Sequence, residues 1–165
     1  MSGDQYLWSV WLDQHGAALV LFARSWVPSQ ADAEDVVQEA FIRFWRSRDR
    51  VTEPIAYLYA SVKYGALDWH RSRDRQARRE AIVARPEAEE MFVSADEHAE
   101  RRAAIEAMLC ELPESQREVL VMRIWGRLSF PQIAGALEIS VNTAASRYRY
   151  ALARLREQLR EESIR

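Results

Sequence analysis

DAEDVVQEAFIRFW, residues 32–45, decides the fold class of this chain. At about 100° per residue, Val36, Ala40 and Phe44 fall in one row and Val37, Phe41 and Trp45 in the next, a broad apolar stripe of an amphipathic helix. That stripe must be buried. Asp35, Gln38, Glu39, Arg43 and Arg46 lie on the opposite side, and Ser29 stands upstream as an N-cap. The polar side alone needs no partner, because a charged helix face is stable in water.

Downstream, Thr52, Glu53 and Pro54 mark a helix start with proline in the first turn, and Ile55, Leu58, Val62, Ala66 and Trp69 repeat at helical spacing. Its outward side carries Tyr57, Tyr64, Asp68, Arg71 and Arg75. Residues 71–85 hold six arginines against Asp74 and Glu80, a local charge of +4. Guanidinium groups interleaved with aromatic rings suit nucleic acid, since the cations neutralise phosphates and the rings stack on unpaired bases. An arginine-rich helix C-terminus is also favoured by the helix dipole alone, so both readings stay open here.

The overall charge of −2 conceals a block pattern. Residues 86–100 contain six acids and no Lys or Arg, directly after the basic stretch. Such a reversal beside Pro86 predicts an acidic linker between two helical domains, spanning 81–100, with a first domain over 1–80 and a second over 101–165. Ser94 and Glu97 make a capping-box pattern for the next helix, which is expected to run to about Glu111.

In the last third, Leu112 and Pro113 open a helix that is expected to stop at Gly126. Ser129 and Gln132 cap a short helix, SFPQIAGAL, ending at Glu138, and Ser140 opens SVNTAASRYRYALARLREQL. Two helices joined by so short a turn form a helix-turn-helix. In its second helix, Val141, Ala145, Tyr148, Leu152, Leu155 and Leu159 are expected to be buried. Asn142, Thr143, Ser146, Arg147, Tyr150 and Arg154 supply hydroxyls and cations for base edges and phosphates.

Composition excludes much else. A chain of 165 residues with 48% hydrophobic content and only 5 Gly and 5 Pro suits an all-α protein of one or two small domains. No apolar run approaches the ~20 residues of a membrane span, and MSGDQYLW lacks the pattern of a signal peptide, so a cytoplasmic protein without direct membrane insertion is expected. The single Cys110, beside Met108 and Leu109, reads as a buried packing residue. His15, His70 and His98 are too scattered for a metal site. No catalytic residues, metal or cofactor are expected.

In their order, DAEDVVQEAFIRFW, LDWHRSR, the acidic stretch and LPESQREVLVMRIWGRLSFPQIAGALEISVNTAASRYRYALARLREQL resemble a bacterial RNA polymerase sigma factor of the extracytoplasmic-function group of the sigma-70 family. The resemblance spans roughly residues 5–160 and implies a transcription initiation factor. It implies that Asp35, Gln38, Glu39, Arg43 and Arg46 meet the clamp of core RNA polymerase, and that the second domain meets its flap. It implies that the loop with Arg48 and Arg50 captures a flipped base of the minus-ten promoter element, beside Tyr64, Asp68, Arg71 and Arg75. Asn142, Thr143, Ser146, Arg147, Tyr150 and Arg154 would read the minus-thirty-five element. The acidic linker would thread toward the active centre of the polymerase, and an anti-sigma factor would be a regulating partner.

Four departures from the family pattern stand out. Tyr64 replaces a frequent Asn, Glu138 occupies a turn position where Gly is common, Ala144 and Ala145 replace frequent Val and Lys, and Pro131 replaces an acid in a first helical turn, where proline is tolerated. Two other readings fit parts of the chain: a decoy that binds an anti-sigma factor without reading DNA, and a stand-alone helix-turn-helix regulator. A decoy would not need the arginines and tyrosines of the DNA faces, and a regulator would not need the polar face of residues 32–46.

Overall fold

The apolar stripes of the chain are satisfied by packing helix on helix. A computed structural model describes residues 3–80 and 97–164, and among these there are seven α-helices and no strand. They are α1 (Gly3–Ala23), α2 (Gln30–Ser47), α3 (Pro54–Glu80), α4 (Glu97–Cys110), α5 (Glu114–Ile124), α6 (Phe130–Leu137) and α7 (Val141–Ile164), with a 3-10 turn at Arg48–Arg50 between α2 and α3. The Ser94 half of the expected capping box and most of the acidic stretch lie outside the described residues, although α4 does begin at Glu97.

Helix α2 forms as its sequence dictates. The Ser29 hydroxyl accepts from the Asp32 backbone N–H at 3.0 Å, and Val36, Val37, Ala40, Phe41 and Phe44 are buried. The stripe packs on α1 and α3, where Trp8 meets Phe41 edge-on at 5.5 Å and Trp11 lies 5.3 Å from Phe44. Helix α1 is dense in Trp and Leu on several sides, so no single stripe announces it in the sequence. Its role as the third wall of this bundle emerges only from packing.

The helix-turn-helix is α6, a turn at 138–140, and α7. A full capping box opens α6, with the Ser129 hydroxyl accepting from the Gln132 N–H and the Gln132 side chain accepting from the Ser129 N–H at 2.9 Å. Glu138 ends it in the left-handed region at φ 56° and ψ 43°, the conformation glycine commonly takes at this position and one that costs a residue with a Cβ some strain. The Ser140 hydroxyl caps α7 by accepting from the Thr143 N–H at 3.0 Å.

Three sequence expectations need correction. In α7, Ala144 and Ala151 are buried and Tyr148, Leu152 and Leu155 are half-buried against the core, while Val141 and Leu159 are exposed, because α7 packs mainly on α5 and α6 and turns a slightly different side to them than expected. Cys110 is exposed, its thiol 3.8 Å from the Arg117 guanidinium. Gly126 follows α5 without a positive φ, and Arg127 takes the left-handed conformation instead, at φ 53°. What Gly126 provides is room: a Cβ there would stand 2.6 Å from the Met122 carbonyl oxygen and 2.8 Å from the Tyr59 hydroxyl.

Tyr59 belongs to α3, so that contact joins the two halves of the chain. One apolar core runs through both, from Phe22, Phe41 and Tyr59 to Leu120, Met122 and Ile133.

Candidate nucleic-acid and polymerase interfaces

Three polar surfaces are laid out on this scaffold. On α2, Asp35, Gln38, Glu39, Arg43 and Arg46 are all exposed, opposite the buried stripe. Gln38 also borders a groove of about 670 Å³ whose walls are Trp8, Leu12, Val20, Leu21 and Val37.

The second surface is the outward side of α3 and the turn before it. Tyr64 is 54% exposed, its ring free to stack. Asp68 accepts from Arg71 at 3.3 Å, and Arg75 donates to the Arg71 carbonyl at 3.2 Å and to the Ser72 hydroxyl at 3.4 Å. These exposed links hold the guanidinium groups in one row and contribute little to stability. Arg50 is exposed, whereas Arg48 stacks over the Trp45 ring at 4.7 Å and donates to the Trp45 carbonyl at 2.8 Å. Tyr57, expected on the outward side, is half-buried against Phe44, its hydroxyl accepting from Ser47 at 3.4 Å.

The third surface is α7. Asn142, Tyr150 and Arg154 are exposed, while Thr143 and Ser146 are half-buried, the Thr143 hydroxyl 2.8 Å from that of Ser140 and the Ser146 hydroxyl accepting from Arg149 at 3.3 Å. Arg147 does not share the outward direction expected from its place in the sequence. Its guanidinium turns inward to Glu118 at 3.5 Å, because a buried carboxylate draws in the cations within its reach.

Glu118 is the residue that sequence reasoning missed. It is 3% exposed, on α5, and besides Arg147 it accepts from Lys63 of α3 at 2.6 Å. An acid set directly before Val119 and Leu120 in an apolar segment was the available signal. Burial pushes its carboxyl above the ordinary value of 4.5, against the pull of Lys63 and Arg147. Between 4.5 and that raised value the folded protein holds a proton the unfolded chain has lost, so this group's contribution to stability falls as pH rises through the window. Glu118→Gln removes the titration. The melting temperature of the variant minus that of the wild type should therefore climb with pH across that window, and a flat difference in paired thermal melts would contradict it.

The described residues hold no group of three His, Cys, Asp or Glu able to bind a metal, and no helix long and apolar enough to cross a membrane.

The chain matches a known pair of modules. The Sigma-70 region 2 family model matches residues 11–76, and the Sigma-70 region 4 family model matches residues 102–155. The chain belongs to the extracytoplasmic-function group of the sigma-70 family. It is 32% identical over 150 residues to the RNA polymerase sigma-E factor of Streptomyces avermitilis, covering 89% of this chain and 82% of that protein. The sigma-E factor of Streptomyces coelicolor is 33% identical, covering 86% and 80%. Among solved structures, CnrH in complex with the cytosolic domain of CnrY is 29% identical with a TM-score of 0.63, covering 97% of this chain and 92% of that one. The sigma factor RpoE of Bartonella quintana, solved with the anti-sigma factor NepR, shares the fold at a TM-score of 0.65 and 23% identity, covering 90% and 94%. This sigma factor is a transcription initiation factor that binds core RNA polymerase and directs it to promoters.

Proposed function

We propose how this sigma factor divides the work among its surfaces. The first domain, residues 1–80, meets the polymerase clamp through Asp35, Gln38, Glu39, Arg43 and Arg46. It opens the minus-ten element with the side of α3 that carries Tyr64, Asp68, Arg71 and Arg75, and Arg48 and Arg50 flank the captured base. The second domain, residues 101–165, reads the minus-thirty-five element as a duplex through Asn142, Thr143, Ser146, Tyr150 and Arg154, and the acidic linker lies between the two. Arg147 braces α7 through Glu118, and the helix it steadies presents the reading residues.

The observation that carries this division is the exposure of Tyr64 and the arginine row on the same bundle as the polar α2 face. A ring 54% exposed keeps more than half of its surface available for a base. Stacking is worth about 1–3 kcal/mol per base and offsets the few kcal/mol of flipping one out. The protein performs no bond chemistry in this reading; the polymerase does. It acts in the cytoplasm, where its promoters are, and an anti-sigma factor restrains it, as the partners of RpoE and CnrH suggest.

The test uses two promoter templates, one fully duplex and one pre-melted at the downstream element. Tyr64→Ala should lose about tenfold in initiation on the duplex, equivalent to one lost stack, and much less on the bubble. Arg154→Ala, which meets only duplex DNA, should be equally impaired on both. Equal Tyr64→Ala defects on the two templates would assign that ring to base capture rather than opening. Full activity of both variants would remove these faces from DNA recognition.

A further inference from the structure

The polar groups at the start of α7 are not equally available to DNA. The Thr143 hydroxyl lies 2.8 Å from that of Ser140, within the cap of the helix, and Arg147 is held by Glu118 at 3.5 Å. Rotation about the helix axis sorts the others. At 100° per residue, Asn142, Ser146, Arg149 and Ala153 fall within about 60° of one another, opposite the buried Ala144 and Ala151, whereas Arg147 lies about 140° round from Asn142. Arg149, an exposed residue, therefore stands on the side of α7 that faces squarely away from the protein.

Its surroundings prepare it to meet a base. The side chain leans toward the N-terminus of α7, as helical side chains do, and its Nη2 donates to the Ser146 Oγ at 3.3 Å. That contact draws the guanidinium back over the early turns, the part of a recognition helix that reaches base edges. It engages one of five N–H donors, and among the described residues no carboxylate pairs with the group. Ala145 and Ala153, one turn before and one turn after, carry only methyl groups, so neither crowds its approach to a groove floor.

A guanidinium placed in this way selects one base. In the major groove guanine offers two adjacent acceptors, O6 and N7, that match the parallel N–H donors of the fork, whereas adenine sets its own N6 donor beside N7. Phosphates attract the same cation, but they flank the groove, while the outermost side of an inserted helix meets its floor.

We propose that Arg149 is the base-reading cation of α7 and takes one guanine of the upstream element, with Ser146 positioning its guanidinium. The proposal rests on the assignment of α7 to the minus-thirty-five element given above. It separates two arginines that stand two positions apart: Arg149 reads, and Arg147 only steadies the helix.

The test presents holoenzyme, made from core polymerase and the full chain, with promoter duplexes randomised across the upstream element, and sequences the bound fraction. The wild type should enrich a motif holding a guanine preferred about tenfold or more, the discrimination of one bidentate contact. Arg149→Ala should lose that preference at a single base pair and keep the rest of the motif, with its melting temperature unchanged. Arg149→Lys should retain part of the preference, because an ammonium reaches guanine without the planar fork. Arg147→Ala should leave the motif intact and lower the melting temperature instead, since it strips Glu118 of one of its cations. An Arg149→Ala motif identical to that of the wild type would overturn the proposal. So would a loss of binding spread evenly over all sequences, the mark of a phosphate contact, or a guanine defect that appears in Arg147→Ala rather than Arg149→Ala. A wild-type holoenzyme that enriches no upstream motif at all would instead strike at the reading of α7 on which the proposal rests.

Discussion

Asp35→Ala combined with Glu39→Ala is expected to weaken binding of this sigma factor to core RNA polymerase by at least about tenfold, while the melting temperature stays within a few degrees of the wild type. Both side chains are exposed on α2 and neither touches the core, and exposed substitutions of this kind change stability by less than about 0.5 kcal/mol. If they instead face a partner, each removal leaves a partner cation without its counter-charge, a loss of about 2 kcal/mol or more for a central contact. The two numbers differ enough that a titration against core polymerase, paired with a thermal melt, separates interface from solvated surface. Unaltered affinity would return this face of α2 to the solvent.

Gly126→Ala should destabilise the folded chain by about 1–3 kcal/mol, the usual cost of forcing an extra methyl into a packed site. For a chain of this size that is several degrees of melting temperature, at roughly 2–4 °C per kcal/mol. The added Cβ would come 2.6 Å from a backbone carbonyl and 2.8–2.9 Å from the Tyr59 hydroxyl and ring, and the carbonyl belongs to α5 itself. Tyr59 is 1% exposed and cannot swing into solvent. Its buried hydroxyl has no hydrogen-bond partner, and burial pushes its pKa well above the ordinary tyrosine value. Tyr59→Phe in the Gly126→Ala background should therefore recover part of the loss by removing the nearer clashing atom. A melting temperature equal to the wild type for Gly126→Ala would mean that the halves are not seated as described.

Much of the site was legible before any coordinates, because helical amphipathicity is a local property. Residues 32–46 bury and expose the sides their 3.6-residue period dictates, and Ser29, Ser129 with Gln132, and Ser140 cap the helices as expected. The exposed positions of Asp35, Gln38, Glu39, Tyr64 and Tyr150 followed from the same periodicity. The rotation of α7 did not, since Val141 and Ala144 are one turn apart and either could lead the buried row. Packing on α5 and α6 chose Ala144, whose small side chain lets the helices approach.

The sequence by itself therefore determined which segments are helices, where most of them start, and which polar faces of α2 and α3 remain exposed. Tertiary structure alone decided what joins the halves. Lys63 and Glu118 are 55 positions apart, and Gln132 and Glu53 are 79 apart. No period links residues so distant. The inward turn of Arg147 has the same origin: a carboxylate buried by the fold holds any cation within reach, and which cations come within reach is a matter of how the helices pack.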